Sequence, residues 1–391
     1  MTGDSYRLTP LEIATGRLLG AEDPSELPDH EGRTPLEALC AAILPTLSPG
    51  PCYVTFSGGR DSSAVLAVAA HVARREGLPP PIPLTVRFRD TPGAGEPEWQ
   101  ELVIRHLGLT DWRVHEVEDE LDVVGPVAAG LLLRHGVRYP AHSCLWAFLL
   151  EQAGGGTLLT GLGGDHVFST HLVFLHGARS GGRRPRLHDL QRLAFAASPK
   201  SLRRAVLRRR VRQLPWLRPA AQRRFAEAWA GAVANTGTTF PAHLADVLRP
   251  RTTLGMAKTL DLLASEHGIA VAHPLLDLHF LASLAHTGGR LGFGSRTAAM
   301  HAVFGEEPLL PDSLLSRERK AVFHLAYTRR PTRAFAKAFD GTGLDPELVD
   351  TERLRAEWLS PVPTFAAALA LQAAWLASAA REREQAVEHL G

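Results

Sequence analysis

Cysteine is scarce in this chain: Cys40, Cys52 and Cys144 are the whole complement of 391 residues. An odd, widely spaced trio builds neither a paired disulfide framework nor a zinc site, so the expected compartment is reducing. A long bulky apolar run is also missing. The longest charge-free stretch, Trp358 to Ala380, is broken by Pro361 and Pro363 and is mostly alanine, which predicts a packed C-terminal helix and no membrane span. No basic-then-apolar segment opens the chain, so no signal peptide is expected and the protein reads as cytoplasmic. What remains, 45% apolar and 21% charged residues, is the balance of a soluble globular protein with room for two or three compact units.

Acids are almost absent from one region. The formal net charge is only +2, yet Arg179 to Arg224 holds fourteen arginines and Lys200 against the single Asp189, which is +14 and leaves −12 for the rest. Such a segment repels itself unless an acidic partner neutralises it. Three partners are open: an acidic peptide such as the leader of a peptide substrate, an RNA such as tRNA, or the chain's own acidic remainder. With only Phe195, Trp216 and Phe225 to stack bases, peptide ranks above RNA.

The stretch that organises the chain is Ser57-Gly58-Gly59-Arg60-Asp61-Ser62-Ser63. It follows the β-run Cys52 to Phe56 and opens an apolar helical pattern at Ala64, so it reads as a strand–loop–helix turn shaped for phosphate. A Walker loop would place a lysine beside the Ser/Thr; Asp61 stands here instead. A carboxylate beside phosphates makes sense with a hard cation between them, which predicts a nucleotide bound with Mg²⁺.

From residue 51 to about 165 strand and helix alternate: strands are predicted at 52–56, 83–88, 113–117 and 157–160, with helices up to residue 76, at 98–107 and at 140–152. This predicts an α/β fold, a doubly wound parallel sheet with ligands at the carboxyl ends of its strands. Beyond about 180 helical runs dominate. The expected domains are a helical extension over 1–50, the α/β core over 51–178, and a mostly helical region over 179–391. A second glycine turn, Thr160 to Phe168, also leaves a strand end, and its Asp165 could meet Asp61 across one metal. Alone, such a turn is more often just a turn.

With these stretches, and with His267 to Asp277 and Leu310 to Lys320, the chain resembles the synthetase domain of asparagine synthetase and its relatives, β-lactam synthetase and lasso-peptide cyclase. Its first loop looks like the SGGxDS pyrophosphate loop of the N-type ATP pyrophosphatases. The resemblance implies adenylation of a substrate carboxylate by ATP, release of pyrophosphate, and attack of an amine to give an amide. It further implies that Ser57, Gly58, Gly59, Asp61 and Ser62 hold pyrophosphate, that Asp61 and Asp165 hold Mg²⁺, and that Phe56, Val86, Thr160 and Gly161 line the nucleotide. Lys320 matches the catalytic lysine that offsets developing negative charge.

The departures from that pattern bear on the substrate. Thr2 stands where glutamine-hydrolysing members expose a nucleophilic cysteine, so glutamine is not expected as the nitrogen source. Leu162, Ala270 and Ala272 replace residues usual in asparagine synthetase, and His166 replaces an acid. Candidate bases are His142, His166, Glu266 and His273. Two readings follow: an amide-forming ligase whose carboxylate substrate, peptides included, brings its own amine, as in a peptide macrolactam cyclase; or a non-catalytic nucleotide-binding relative acting as a partner or peptide-presenting subunit.

Overall fold

The computed structural model describes residues 7–388 apart from 24, 49, 92–94, 169–190, 192, 193, 196, 306, 308 and 318–322. Lys320 and the first part of the arginine-rich segment lie outside the described residues. Five strands form one all-parallel sheet: β1 Cys52–Thr55, β2 Ile82–Phe88, β3 Arg113–Val117, β4 Gly156–Leu159 and β5 Ile269–Ala272, ordered β3-β2-β1-β4-β5. Four match the predicted strands to within a residue or two. The fifth is additional: four small and β-branched residues between Gly268 and His273 carry too short a pattern to announce a strand, and pairing to β4 supplies what the pattern lacks.

Alternation along the strands sends successive side chains to opposite faces. Tyr53 and Leu158 join a core with the helices Pro126–His135, Arg251–Glu266 and Ala368–Glu388, whereas Val54, Phe56 and Leu159 join another with the helices Arg60–Glu76, Pro35–Ile43 and Leu278–Gly288. Both faces of the sheet are therefore covered, as a parallel sheet requires. The predicted C-terminal helix is Ala368–Glu388; it buries Leu369, Leu371 and Gln372, and Gln372 Nε2 donates to the carbonyls of Val123 and Ala141 at 2.8 and 2.9 Å. No helix among the described residues is long and apolar enough to cross a membrane.

The strand order places a switch point between β1 and β4. Tyr53 pairs with Leu158 and Val54 with Leu159, so the two strands end side by side and their exit loops begin next to each other. In open parallel sheets that crevice is where ligands bind.

Candidate active site

The loop after β1 is built by glycine and serine. Gly58 has φ +83°, and a Cβ there would lie 2.8 Å from Gln100 Cγ, so only glycine fits without moving that side chain. Gln100 Nε2 donates to the Ser57 carbonyl at 3.1 Å from the other side. Ser62 Oγ accepts from the Ser57 amide at 3.2 Å and donates to the Gly59 carbonyl at 3.1 Å. Gly59, extended, is the N-cap of the 17-residue helix Arg60–Glu76 and offers no side chain to it. The first-turn amides and the positive end of the dipole therefore face the crevice without a side-chain acceptor.

The loop after β4 packs into the first. A Cβ on Gly161 would come 2.9 Å from the Ser62 amide nitrogen, and one on Gly164 would come 2.3 Å from Asp61 Cγ. Thr160 Oγ1 accepts from the Leu162 amide at 3.2 Å and lies 2.7 Å from His273 Nδ1. Burial pushes the pKa of His273 down to about 4, so it stands behind Thr160 as a neutral ring.

Between the loops lies a cavity of about 600 Å³. Phe56, Ser57, Gly59, Asp61, Ser62, Val86, Thr160, Gly161 and Asp165, all singled out from sequence, line it, and Gly58 forms the turn beside them. His166 does not reach it: the residue is exposed on the short helix Gly164–Val167, and its carbonyl accepts from His243 Nε2 at 3.1 Å. Of the other candidate bases only His142 lines the cavity. It sits among Trp146, Tyr327 and Phe365, with ring centroids 5.5–6.0 Å apart, and burial pushes its pKa down to about 4. Glu266 instead pairs with His135 at 2.8 Å and Arg134 at 3.6 Å, away from the lining.

Four charged residues that the sequence reading left without a role complete the polar end. Arg296 ion-pairs with Asp61 and, at 2.9 Å, with Asp165; Arg317 pairs with Glu96 and lies 4.8 Å from the centroid of the Trp99 ring. Arg60 also lines the cavity and hydrogen-bonds Thr297 Oγ1 and the Leu315 carbonyl, both at 3.4 Å; burial, then Arg296, lowers its pKa. The polar end thus gathers three guanidinium groups and three carboxylates, Asp61, Asp165 and Glu96, around the glycine loop. One signal for Arg296 was legible: it opens the helix Arg296–Phe304, where a cation opposes the dipole and needs acids close by.

Asp61 and Asp165 both touch one guanidinium, so their oxygens converge on a single cationic position. Among the described residues no group of three or more His, Cys, Asp or Glu could hold a metal unaided. Two carboxylates with phosphate oxygens completing the shell are, however, a common Mg²⁺ arrangement, and the donor set fits it. The opposite end of the cavity is apolar, walled by Leu145, Trp146, Met256, Leu260, Tyr327 and Phe365.

A model of the family described as asparagine synthase matches residues 46–379, a span that takes in the sheet, both glycine loops and the cavity walls. No curated protein matches the chain.

Proposed function

The chain belongs to the asparagine synthase family, and from that premise we propose that it uses ATP to adenylate a carboxylate and couples the activated acyl group to an amine. The observation that carries this is the convergence of Asp61, Asp165 and the Ser57–Ser63 loop on one cavity that is polar at one end and apolar at the other.

In this reading the amides of the loop and the helix start hold the β- and γ-phosphates, while Arg60, Arg296 and Arg317 neutralise them. Asp61 and Asp165 would hold Mg²⁺, which supplies charge neutralisation and orientation of the phosphates. Phe56 and Val86 offer apolar surface to the base. The acyl carboxylate attacks the α-phosphorus, pyrophosphate leaves, and a neutral amine then attacks the acyl carbon to expel AMP. Lys320, by its match to the family motif, serves the negative charge that develops in these steps.

The apolar end bears on the substrate. A free α-amino acid buries an ammonium and a carboxylate, and each needs a partner. Among the described residues walling that end, the titratable ones are neutral His142 and Tyr327, whose phenol burial drives upward in pKa. An apolar stretch of peptide suits it better, with the amine on the same molecule so that ring closure is intramolecular. His142, a weak base at a pKa of about 4, would orient the amine by accepting a hydrogen bond; it would not store the proton.

The test is product analysis with peptides that carry an acidic side chain and a free amino terminus. AMP and pyrophosphate are expected, and ADP as the main product would remove the protein from this chemistry. Asp61→Asn should abolish Mg²⁺-dependent ATP binding by calorimetry while circular dichroism stays unchanged. The second reading, a nucleotide-binding subunit without catalysis, is favoured by Leu162 in the cavity lining; tight Mg·ATP binding with no pyrophosphate release on any peptide would select it.

A further inference from the structure

A second, larger hollow shares no residue with the cavity. It is a groove of about 1450 Å³ beside the packed helices Lys200–Arg210 and Pro219–Ala234. Its rim carries Arg204, Arg208, Arg223, Arg224, Arg249 and Arg353, and its floor includes Leu11, Leu214 and Leu217. We propose that this groove is a docking site for an acidic peptide segment bearing aliphatic side chains.

Charge is the first support. Glu227 is shared between Arg204 and Arg208, Arg249 has Asp246 at 3.6 Å, and Arg353 has Asp350 at 3.5 Å. Six arginines thus face three acids. Arg223 and Arg224 are exposed and make no ion pair with a described residue. Among the described residues, Glu227 is the one acid that pairs with any base between 197 and 224. Adjacent uncompensated guanidinium groups repel, and carboxylates bound in their forks relieve that repulsion.

Shape and composition narrow the ligand. The volume exceeds the roughly 300–1,000 Å³ of small-molecule pockets, so an extended chain fits better than a single anion. Among the described residues no aromatic side chain lines the groove, which leaves RNA bases none of these to stack on. The walls are also preset. Trp216 Nε1 donates to the Ala14 carbonyl at 2.8 Å, the Arg218 amide to the Leu348 carbonyl at 2.9 Å, and the Asp350 amide to the Trp216 carbonyl at 2.8 Å. The loop joining the two helices is therefore held from both sides before any ligand arrives, which lowers the ordering cost of binding.

Fluorescence anisotropy with the full chain tests this, using a labelled Glu/Leu peptide of about ten residues, a Lys/Leu counterpart and oligouridine, at about 50 and about 200 mM salt. The Glu/Leu peptide should bind, weaken steeply with salt, and lose about tenfold or more in affinity in R223Q/R224Q. R209Q/R210Q, exposed at the end of the neighbouring helix Lys200–Arg210 but outside the groove, should bind like the parent. Absence of Glu/Leu binding, an unchanged R223Q/R224Q, an equal loss in R209Q/R210Q, or oligouridine binding more tightly than the peptide would each overturn the proposal.

Discussion

Arg296 occupies the point where two acids meet, and replacing it reports on what that point is for. In Arg296→Gln, Asp61 and Asp165 lose their shared cation. A contact pair in an effective dielectric of about 20 interacts by about 4 kcal/mol, most of which desolvation and side-chain ordering offset. Asp61 is 16% exposed and Asp165 57% exposed. The net loss is therefore about 1–3 kcal/mol from the Asp61 contact and under about 1 kcal/mol from Asp165. In EDTA the variant should melt several degrees below the parent by scanning fluorimetry. If the two carboxylates form the cation site, millimolar Mg²⁺ then stabilises the variant more than the parent, because the ion no longer competes with a tethered guanidinium and its stabilisation grows with the logarithm of concentration over Kd. Equal Mg²⁺ shifts in the two proteins, or equal melting in EDTA, would refute the reasoning.

Other consequences follow from the same contacts. Gly164→Ala puts a Cβ against the Asp61 carboxylate, so Mg·ATP affinity by calorimetry should fall at least about tenfold, with about 1–3 kcal/mol of stability lost to overpacking; unchanged affinity would mean that the loops separate freely. His142 and His273 both have folded pKa values near 4, below the ordinary 6.5. Their contribution to stability is intact above about pH 6.5 and is lost as pH falls toward about 4, by up to about 2–3 kcal/mol each. Urea midpoints between pH 7 and 4 should show that decline, and His142→Phe, which keeps an aromatic ring among its neighbours, should flatten it; a profile unaltered in the variant would count against the assignment.

Much of this architecture could be read from the residues because it rests on local chemistry. Ser57 to Ser63 and Thr160 to Asp165 announce themselves through glycines at strand exits, where φ and close approach admit little else. The parallel sheet follows from alternation, but β5 does not, since Ile269–Ala272 becomes a strand through its pairing with β4. The helix Pro126–His135 was likewise not predicted, being almost uniformly apolar at its start. Side-chain convergence was the least legible: Arg296 lies 235 residues from Asp61 and Arg317 221 from Glu96, and no pattern in either neighbourhood names its partner. His166 shows the converse, a residue placed correctly in a motif whose side chain leaves the cavity.

The walls of the cavity come from different parts of the chain. Its polar end is assembled mainly from the exits of β1 and β4, its apolar end from the helices Cys144–Glu151 and Arg251–Glu266 and from Tyr327 and Phe365. Buried Asp122 ties down the segment that carries Tyr327, accepting from the Val124 amide at 3.0 Å and from Thr332 Oγ1 at 2.8 Å, while the Val123 amide donates to the Tyr327 carbonyl at 2.9 Å. Substitutions at Trp146, Met256 or Leu260 should therefore reshape what the pocket accepts without disturbing the glycine loops proposed to hold phosphate. Selectivity and energy coupling would then be separable on this plan, and a library confined to those three positions would explore new acceptors at little risk to the proposed ATP site.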